Sequence, residues 1–258
     1  MVRFIYITLA KRSLIVDVFI YNNAVNYKSL HFNEIDSTNT YLKNNYLSLD
    51  NFTFVSSDYQ SNGKGRNDRK WLSDSGENLM FSFLIKNPSL INIAPLLSMM
   101  TACEVAKLLE ELDIKEVSIK WTKDVLVSDK KICGILLEGQ MPNYVVVGVG
   151  LNVNQKVFPP DLRRPATSIS SELNEEIAIS SIKEKLFSNI VNNFTNMDEV
   201  QYLLYLNKHN YLADKKVCVN INQQDIVGRV VGIGANFNLL IQTDDDLLRV
   251  NSGEIEIL

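Results

Sequence analysis

The sequence predicts an α+β protein, a mixed body of strands and helices followed by a small all-β unit. Three observations carry this expectation. Residues 93–112 set Ile93, Leu96, Leu97, Met100, Cys103, Val105, Ala106, Leu109 and Leu112 at helical spacing. Residues 144–153 form a nearly continuous apolar run, the pattern of a strand buried on both faces. From Lys216 onward, short strand-like runs at 216–221, 226–233, 238–242 and 247–250 replace the helical patterns.

Taken in order, the apolar stretch over residues 4–20 reads as one or two strands. Lys11, Arg12 and Asp17 interrupt it and no small-residue cleavage site follows, which argues against a membrane span or a secretion signal. Ser37-Thr38-Asn39 ahead of Tyr41, Leu42 and Tyr46 reads as the N-cap of a short amphipathic helix. Residues 52–55 and 78–84 read as strands on either side of a basic loop, and residues 117–121 as another strand. Residues 124–127 and 131–137 form a hairpin around Ser128-Asp129-Lys130. Residues 182–194 and 198–206 read as helices, with a linker near 210–214. The expected division is an N-terminal extension over 1–30, a main domain over 31–213 and a small β unit over 214–258.

Composition bounds the function. The 258 residues are 46% apolar, enough for one large domain or a large and a small one. Lys and Arg number 26 against 30 Asp and Glu, a net charge of −4, which speaks against broad nucleic-acid binding. Cys103, Cys133 and Cys218 lie far apart with no CxxC pair, as suits a reducing cytoplasm, and offer no disulfide or zinc framework. His31 and His209 are too few for a histidine metal site and read as surface residues; Met99, Met100 and Trp121 read as core.

Against this mildly acidic background, the loop from Gln60 to Trp71 gathers Gly63, Lys64, Gly65, Arg66, Arg69 and Lys70 ahead of the tryptophan. Glycines permit close backbone approach, and cations match phosphate or carboxylate oxygens. Four further segments bear on the same type of ligand. They are Glu34-Ile-Asp-Ser37-Thr38-Asn39, Lys120-Trp121-Thr122-Lys123-Asp124, Lys131-Ile-Cys-Gly134-Ile-Leu-Leu-Glu138 and Gly148-Val-Gly150-Leu-Asn152-Val-Asn154.

In this order and spacing the segments resemble the biotin protein ligase family, from about Phe32 to the closing Ser252-Gly253-Glu254-Ile255. The family patterns are Asp-Ser-Thr-Asn, Gly-Arg-Gly-Arg-x-Gly-Arg-x-Trp, Lys-Trp-Pro-Asn-Asp, Lys-x-x-Gly-Ile-Leu-x-Glu and Gly-x-Gly-x-Asn. The resemblance implies a mixed β-sheet flanked by helices, of the class II aminoacyl-tRNA synthetase and biotin synthetase type, followed by an SH3-like β-barrel. It implies a biotin–[acetyl-CoA-carboxylase] ligase using ATP, biotin and Mg²⁺. Biotin's carboxylate attacks the α-phosphate to give biotinyl-5′-AMP, and a lysine of a biotin carboxyl carrier domain then takes the biotin. The longer family members carry an N-terminal DNA-binding domain, and too few residues precede the first motif here to form one. Neither DNA nor a membrane is an expected partner, and a homodimer is compatible with the resemblance.

Residue by residue, the resemblance gives Lys131 the contact to biotin's carboxylate and the α-phosphate, and Arg66 the retention of the adenylate. Lys64, Arg69 and Lys120 are expected at phosphate or carboxylate groups, Asp124 near Mg²⁺ and Asn152 near the adenine. Ser37, Thr38, Asn39, Gln60 and the Gly134 backbone are expected around biotin, within a site that includes Gly63 and Gly65, with Trp71 packing on the intermediate. The chain departs from the family pattern at Asp68, where glycine is usual, and at Thr122 and Lys123, which replace proline and asparagine. The extra lysine stands in for an amide contact to phosphate or alters the Mg²⁺ surroundings.

Taken alone, Lys131 reads as a solvated strand-end lysine, and Arg66 and Arg69 as parts of an ordinary or nucleic-acid-binding loop. Cys133 reads as core, on the strand face away from Lys131. Two other functions compete: a lipoate or octanoyl ligase of the same fold, and a non-catalytic biotin-binding regulatory module. The Gly-Lys-Gly-Arg loop favours biotin, and the presence of Lys131, Arg66 and Asp124 favours catalysis.

Overall fold

The computed structural model describes residues 14–19, 27–65, 70–160, 162, 164–221, 224–253 and 255–258. Its first strands, β1 (Leu14–Phe19) and β2 (Tyr27–Ile35), pair antiparallel. The rest of the apolar 4–20 stretch lies outside the described residues. Residues 14–19 and 27–30 thus belong to the main sheet, and the expected boundary at residue 30 falls inside β2.

Ser37 then caps α1 (Thr38–Asn45), its hydroxyl accepting from the Thr40 amide. The helix carries the chain over the sheet, so β3 (Thr53–Gln60) lies parallel to β2 while every other neighbouring pair in the sheet is antiparallel. β4 (Asn78–Ile85) follows, then α2 (Pro88–Asn92) and α3 (Ala94–Glu111), then β5 (Val117–Lys120), β6 (Asp124–Val127), β7 (Lys130–Gln140) and β8 (Tyr144–Asn152). The sheet has eight strands in the order β1-β2-β3-β4-β8-β7-β6-β5. The β6–β7 turn is Ser128-Asp129 alone, both with positive φ (46° and 65°), as a tight two-residue hairpin requires; Lys130 already opens β7.

Strand alternation divides the side chains between two layers. Phe54, Phe81 and Phe83 face α3 and α5 (Ile179–Thr195), where Phe54 stacks on Phe187 at 4.1 Å. Val55, Leu84 and Val146 face the other way and pack with Leu42 of α1. β4 and β8 are buried along their whole length, which explains their unbroken apolar runs. Two short helices, α2 and α4 (Ile169–Leu173), escaped the sequence reading because five residues hold too little periodicity.

After α6 (Glu199–Lys208), the chain forms β9 (Lys216–Ile221), β10 (Gln224–Ile233), β11 (Leu239–Gln242), β12 (Leu247–Val250) and β13 (Ile255–Ile257). These make an antiparallel sheet in the order β12-β11-β10-β9-β13. A bulge between Val230 and Gly232 bends β10, and Gly232 takes φ 155° there, a conformation open to glycine. The sheet is not a separate body. Its Val217, Val219, Val230 and Ile241 share one core with Trp121, whose indole Nε1 donates to the Phe237 carbonyl at 3.0 Å.

His209 corrects the sequence reading. Expected at the surface, it is buried at the end of α6, with Nε2 2.9 Å from Glu110 and its ring stacked on Tyr205 at 4.0 Å. His31 is half-buried, with Nδ1 3.0 Å from Ser56 Oγ and Nε2 3.3 Å from Asp58. Met99, Met100, Trp121 and Cys133 are buried as expected.

Candidate functional site

Two cavities open side by side on the α1 face of the sheet. The first is narrow, about 60 Å³, and is lined by Ser37, Thr38, Asn39, Gln60, Lys64, Gly65, Ser82, Gly134, Gly148 and Gly150 among others. The second is a wider cleft of about 570 Å³ running from Lys70, Leu72, Lys120 and Asn152 to Phe158, Arg164 and the β13 residues Ile255–Ile257. Trp71, Lys123, Asp124 and Lys131 line both and form the seam between them.

The narrow cavity has a polar back wall built as one network. Gln60 Oε1 accepts from the Thr38 amide at 2.8 Å and from its hydroxyl at 3.1 Å. The Thr38 and Ser82 hydroxyls lie 2.6 Å apart, and Ser82 donates to Asn39 Oδ1 at 2.5 Å. Asn39 Nδ2 in turn donates to Glu138 at 2.7 Å, and Glu138 also pairs with Lys43. Burial acts to raise the Glu138 carboxyl pKa, but the hydrogen bonds from Lys43 and Asn39, with Lys64 nearby, outweigh it and hold the group below its ordinary value. The amide of Asn39 is therefore fixed from both ends, one toward a hydroxyl and one toward a carboxylate.

The floor is made by glycines, and the reason is the tryptophan. A Cβ on Gly150 would sit 2.3 Å from the Trp71 ring, and one on Gly134 would meet both that ring and Lys131 Nζ at 3.0 Å. Gly148 is bare for Asn39, whose amide oxygen would lie 2.3 Å from a Cβ there. Trp71 is delivered by a fold-back of its own loop: its amide donates to the Gly63 carbonyl at 3.0 Å, and Lys64 bridges Lys70. Its indole Nε1 is buried and has no hydrogen-bond partner among the described residues, a donor without an acceptor at the seam.

Lys131 sits over Gly134 with Nζ 2.9 Å from Asp124 Oδ1 and 5.7 Å from the centre of the Trp71 ring. The approach to Asp124 is an ion pair rather than an aligned hydrogen bond, so that buried oxygen keeps acceptor capacity. Alternation alone would put residues 131 and 133 on one strand face. A bulge in the β6–β7 register, at Val125/Leu126, separates them: Lys131 turns to the cavities and Cys133 to the core. Burial pushes the Cys133 thiol well above its ordinary pKa, which removes it as a nucleophile. The backbone of Lys131 is pinned by Pro165 and Thr167 at 2.8 and 3.0 Å, and Asn152 Nδ2 holds the Thr167 carbonyl at 2.9 Å.

The expected residues Ser37, Thr38, Asn39, Gln60, Lys64, Gly65, Trp71, Asp124, Lys131 and Gly134 thus line the narrow cavity, and Lys120 and Asn152 the wide one. Gly63 stands behind Trp71, where a Cβ would strike the Trp71 carbonyl at 2.8 Å. Arg66 and Arg69 lie outside the described residues. Ser82, Lys43 and the roles of Glu138, Gly148 and Gly150 went unassigned from sequence; only the motif positions of the last three marked them. Among the described residues no three His, Cys, Asp or Glu side chains cluster as a metal centre. Asp124 is the one carboxylate at the seam, a donor set that fits a Mg²⁺ ion arriving on phosphate oxygens rather than a resident metal.

A family model described as the biotin/lipoate A/B protein ligase family matches residues 32–152, and one for the biotin protein ligase C terminal domain matches residues 214–258. The bifunctional ligase/repressor BirA of Bacillus subtilis is 27% identical over 214 residues, 80% of this chain and 66% of its own length. This chain therefore spans just under two thirds of that relative. The biotin–[acetyl-CoA-carboxylase] ligase of Mycobacterium tuberculosis is 31% identical over 119 residues, 43% of this chain and 42% of its own. The structure of an Aquifex aeolicus biotin protein ligase in complex with biotin and ATP superposes with a TM-score of 0.76 at 26% identity, covering 89% of this chain and 98% of that one.

Proposed function

The chain belongs to the biotin protein ligase family, and from that premise we propose that it is an ATP-dependent biotin protein ligase. Biotin occupies the narrow cavity and ATP the wide cleft. The observation that carries this reading is the seam: the two cavities meet at Lys131, Asp124, Lys123 and Trp71. An acid in one and a nucleotide in the other bring a carboxylate and an α-phosphate together beside the Lys131 ammonium.

In the first step a carboxylate oxygen of biotin forms a bond to the α-phosphorus and pyrophosphate leaves. Lys131 balances charge on both partners as it builds up, and the ion pair with Asp124 holds its ammonium at the seam until they arrive. Lys64 and Lys120 add positive charge at the two mouths. Asp124 would hold Mg²⁺ carried by the phosphates, and the ion would offset further negative charge there. The Thr38–Gln60–Ser82–Asn39 wall orients biotin's polar head. Trp71 covers the mixed anhydride against water, and by resemblance Arg66 retains the adenylate and Arg69 contacts a phosphate or carboxylate group. In the second step the amine of an acceptor lysine attacks the acyl carbonyl and AMP leaves. The acceptor is a biotin carboxyl carrier domain, and the three unpaired cysteines suit a cytoplasmic setting.

The test is ATP–pyrophosphate exchange with biotin and lipoate in parallel. Exchange that depends on biotin supports the reading. Exchange with lipoate alone assigns the chain to the other half of its wider family, and binding of biotin without exchange makes it a regulatory module.

A further inference from the structure

We infer that Lys43 is a positioning residue of the biotin site: through Glu138 and Asn39 it fixes the end of the narrow cavity remote from Lys131, and so the length of the acid that can span it; this rests on the proposed placement of biotin there. Lys43 lies outside the five motif segments and lines neither cavity. It stands on α1 one turn beyond Asn39, and residues four apart on a helix share a face. One carboxylate joins the two. Glu138 Oε1 takes the Lys43 ammonium, and Oε2 accepts from Asn39 Nδ2 at 2.7 Å. Asn39 Oδ1, turned the other way, accepts from Ser82 at 2.5 Å above the bare Gly148. The amide at that end of the cavity is thus set by a carboxylate, and the carboxylate is held by Lys43.

The sheet beneath converts this into a measure of length. Met80, Gly150 and Gly134 form one rung across β4, β8 and β7, and Ser82, Gly148 and Leu136 form the next. Trp71 and the Lys131 ammonium stand over the first rung and Asn39 over the second. Glu138 is on the third, opposite Val146. Rungs of one face lie about 7 Å apart, two residues of strand rise. The end that receives the carboxylate and the end that receives the ring are therefore spaced by one sheet, with α1 supplying the stop. An acid one methylene shorter than biotin would fall short of Lys131, and one longer would press its ring on Asn39. Without Lys43, Glu138 holds α1 through Asn39 alone, and the stop can give.

The experiment compares Lys43→Met and Lys43→Arg with the wild type in ATP–pyrophosphate exchange. Exchange is driven by biotin and by its analogues with one methylene fewer or one more in the acid chain, and thermal midpoints are measured alongside. The wild type should prefer biotin over each analogue by at least about tenfold in kcat/KM, the ordinary worth of a methylene in a shaped pocket. Lys43→Met should raise the KM for biotin by about tenfold and move that for ATP less than about twofold. It should also shrink the preference over at least one analogue to about threefold. Lys43→Arg should keep both the affinity and the preference. Lys43 is half-buried on a surface helix, so all three proteins should melt alike. A role confined to holding α1 in place would weaken the three acids equally, and that result overturns the assignment. So does an unaltered biotin KM in Lys43→Met, a wild type indifferent to chain length, or an arginine variant that behaves like methionine. If the wild type shows no biotin-dependent exchange, the proposed ligase activity fails instead, and that control tells the two failures apart.

Discussion

The Trp71 ring lies where a side chain on Gly150 would have to be, with a clearance of 2.3 Å to an added Cβ. One residue shapes both cavities, and a strand glycine more than seventy positions away makes room for it. Gly150→Ala should therefore displace the indole while leaving β8 paired, since Gly150 has strand geometry opposite Met80 and Gly134. We expect biotin and ATP affinity to fall at least about tenfold, with a shifted tryptophan emission. In a Trp71→Ala background the same change should cost little further; additive losses would separate the two residues.

Lys131→Ala should cut adenylate formation by about 10²- to 10³-fold with little change in melting temperature, since the ammonium is partly exposed and held by one ion pair. Pyrophosphate exchange and calorimetry on the same preparation check it. A folded variant with wild-type exchange would remove Lys131 from the reaction.

Acid should loosen the wall of the narrow cavity through Glu138. Its folded pKa is depressed, so its contribution is present above the ordinary carboxylate value of 4.5 and is lost as pH falls through the lower folded value. Lys43→Met removes a main cause of the depression and should move the loss of biotin affinity to higher pH. Titration of biotin binding against pH in the two proteins gives the answer, and superimposed curves would disprove the coupling.

Glu104 is fully buried on α3 and accepts from Lys107 at 2.9 Å and from Asn193 and Tyr202 at 2.7 Å, joining α3 to α5 and α6. Burial and the neighbouring Glu104 push the Tyr202 hydroxyl far above its ordinary pKa, so it remains a donor. Glu104→Ala removes the acceptor of all three donors and should destabilise by about 3 kcal/mol. Glu104→Gln, which keeps an acceptor, should lose less. Urea unfolding orders the three proteins.

Arg66 carries the resemblance to an adenylate-retaining loop. Arg66→Gly should still make biotinyl-5′-AMP but release it, so that an unrelated lysine-rich protein is labelled beside the carrier domain. Labelling confined to the carrier would show that retention lies elsewhere.

Much of this was legible in the linear chain. The α3 stripe and the unbroken apolar run of β8 each carry the pattern that their burial imposes, the β9–β12 runs are short and closely spaced, and the five segments name their residue types in order. What escaped was set in three dimensions. Nothing local reveals that Gly150 is bare because Trp71 lies on it; the sequence reading places Cys133 away from Lys131 by alternation, whereas the cause is the bulge. His209 looked like a surface histidine because Glu110 lies on α3, and only packing brings it to the end of α6.

The placement of β13 has a bearing on synthesis. Ser37 and Gln60 emerge early from the ribosome, and the residues of the narrow cavity are all made once Gly150 is added. The far wall of the wide cleft is Gly253 and Ile255–Ile257, and β13 pairs with β9 rather than with the main sheet. On the proposed assignment, the residues lining the biotin cavity are thus all made about a hundred residues before those lining the ATP cleft. A chain halted before β13 would hold the residues of the biotin cavity but lack one wall of the cleft assigned to ATP.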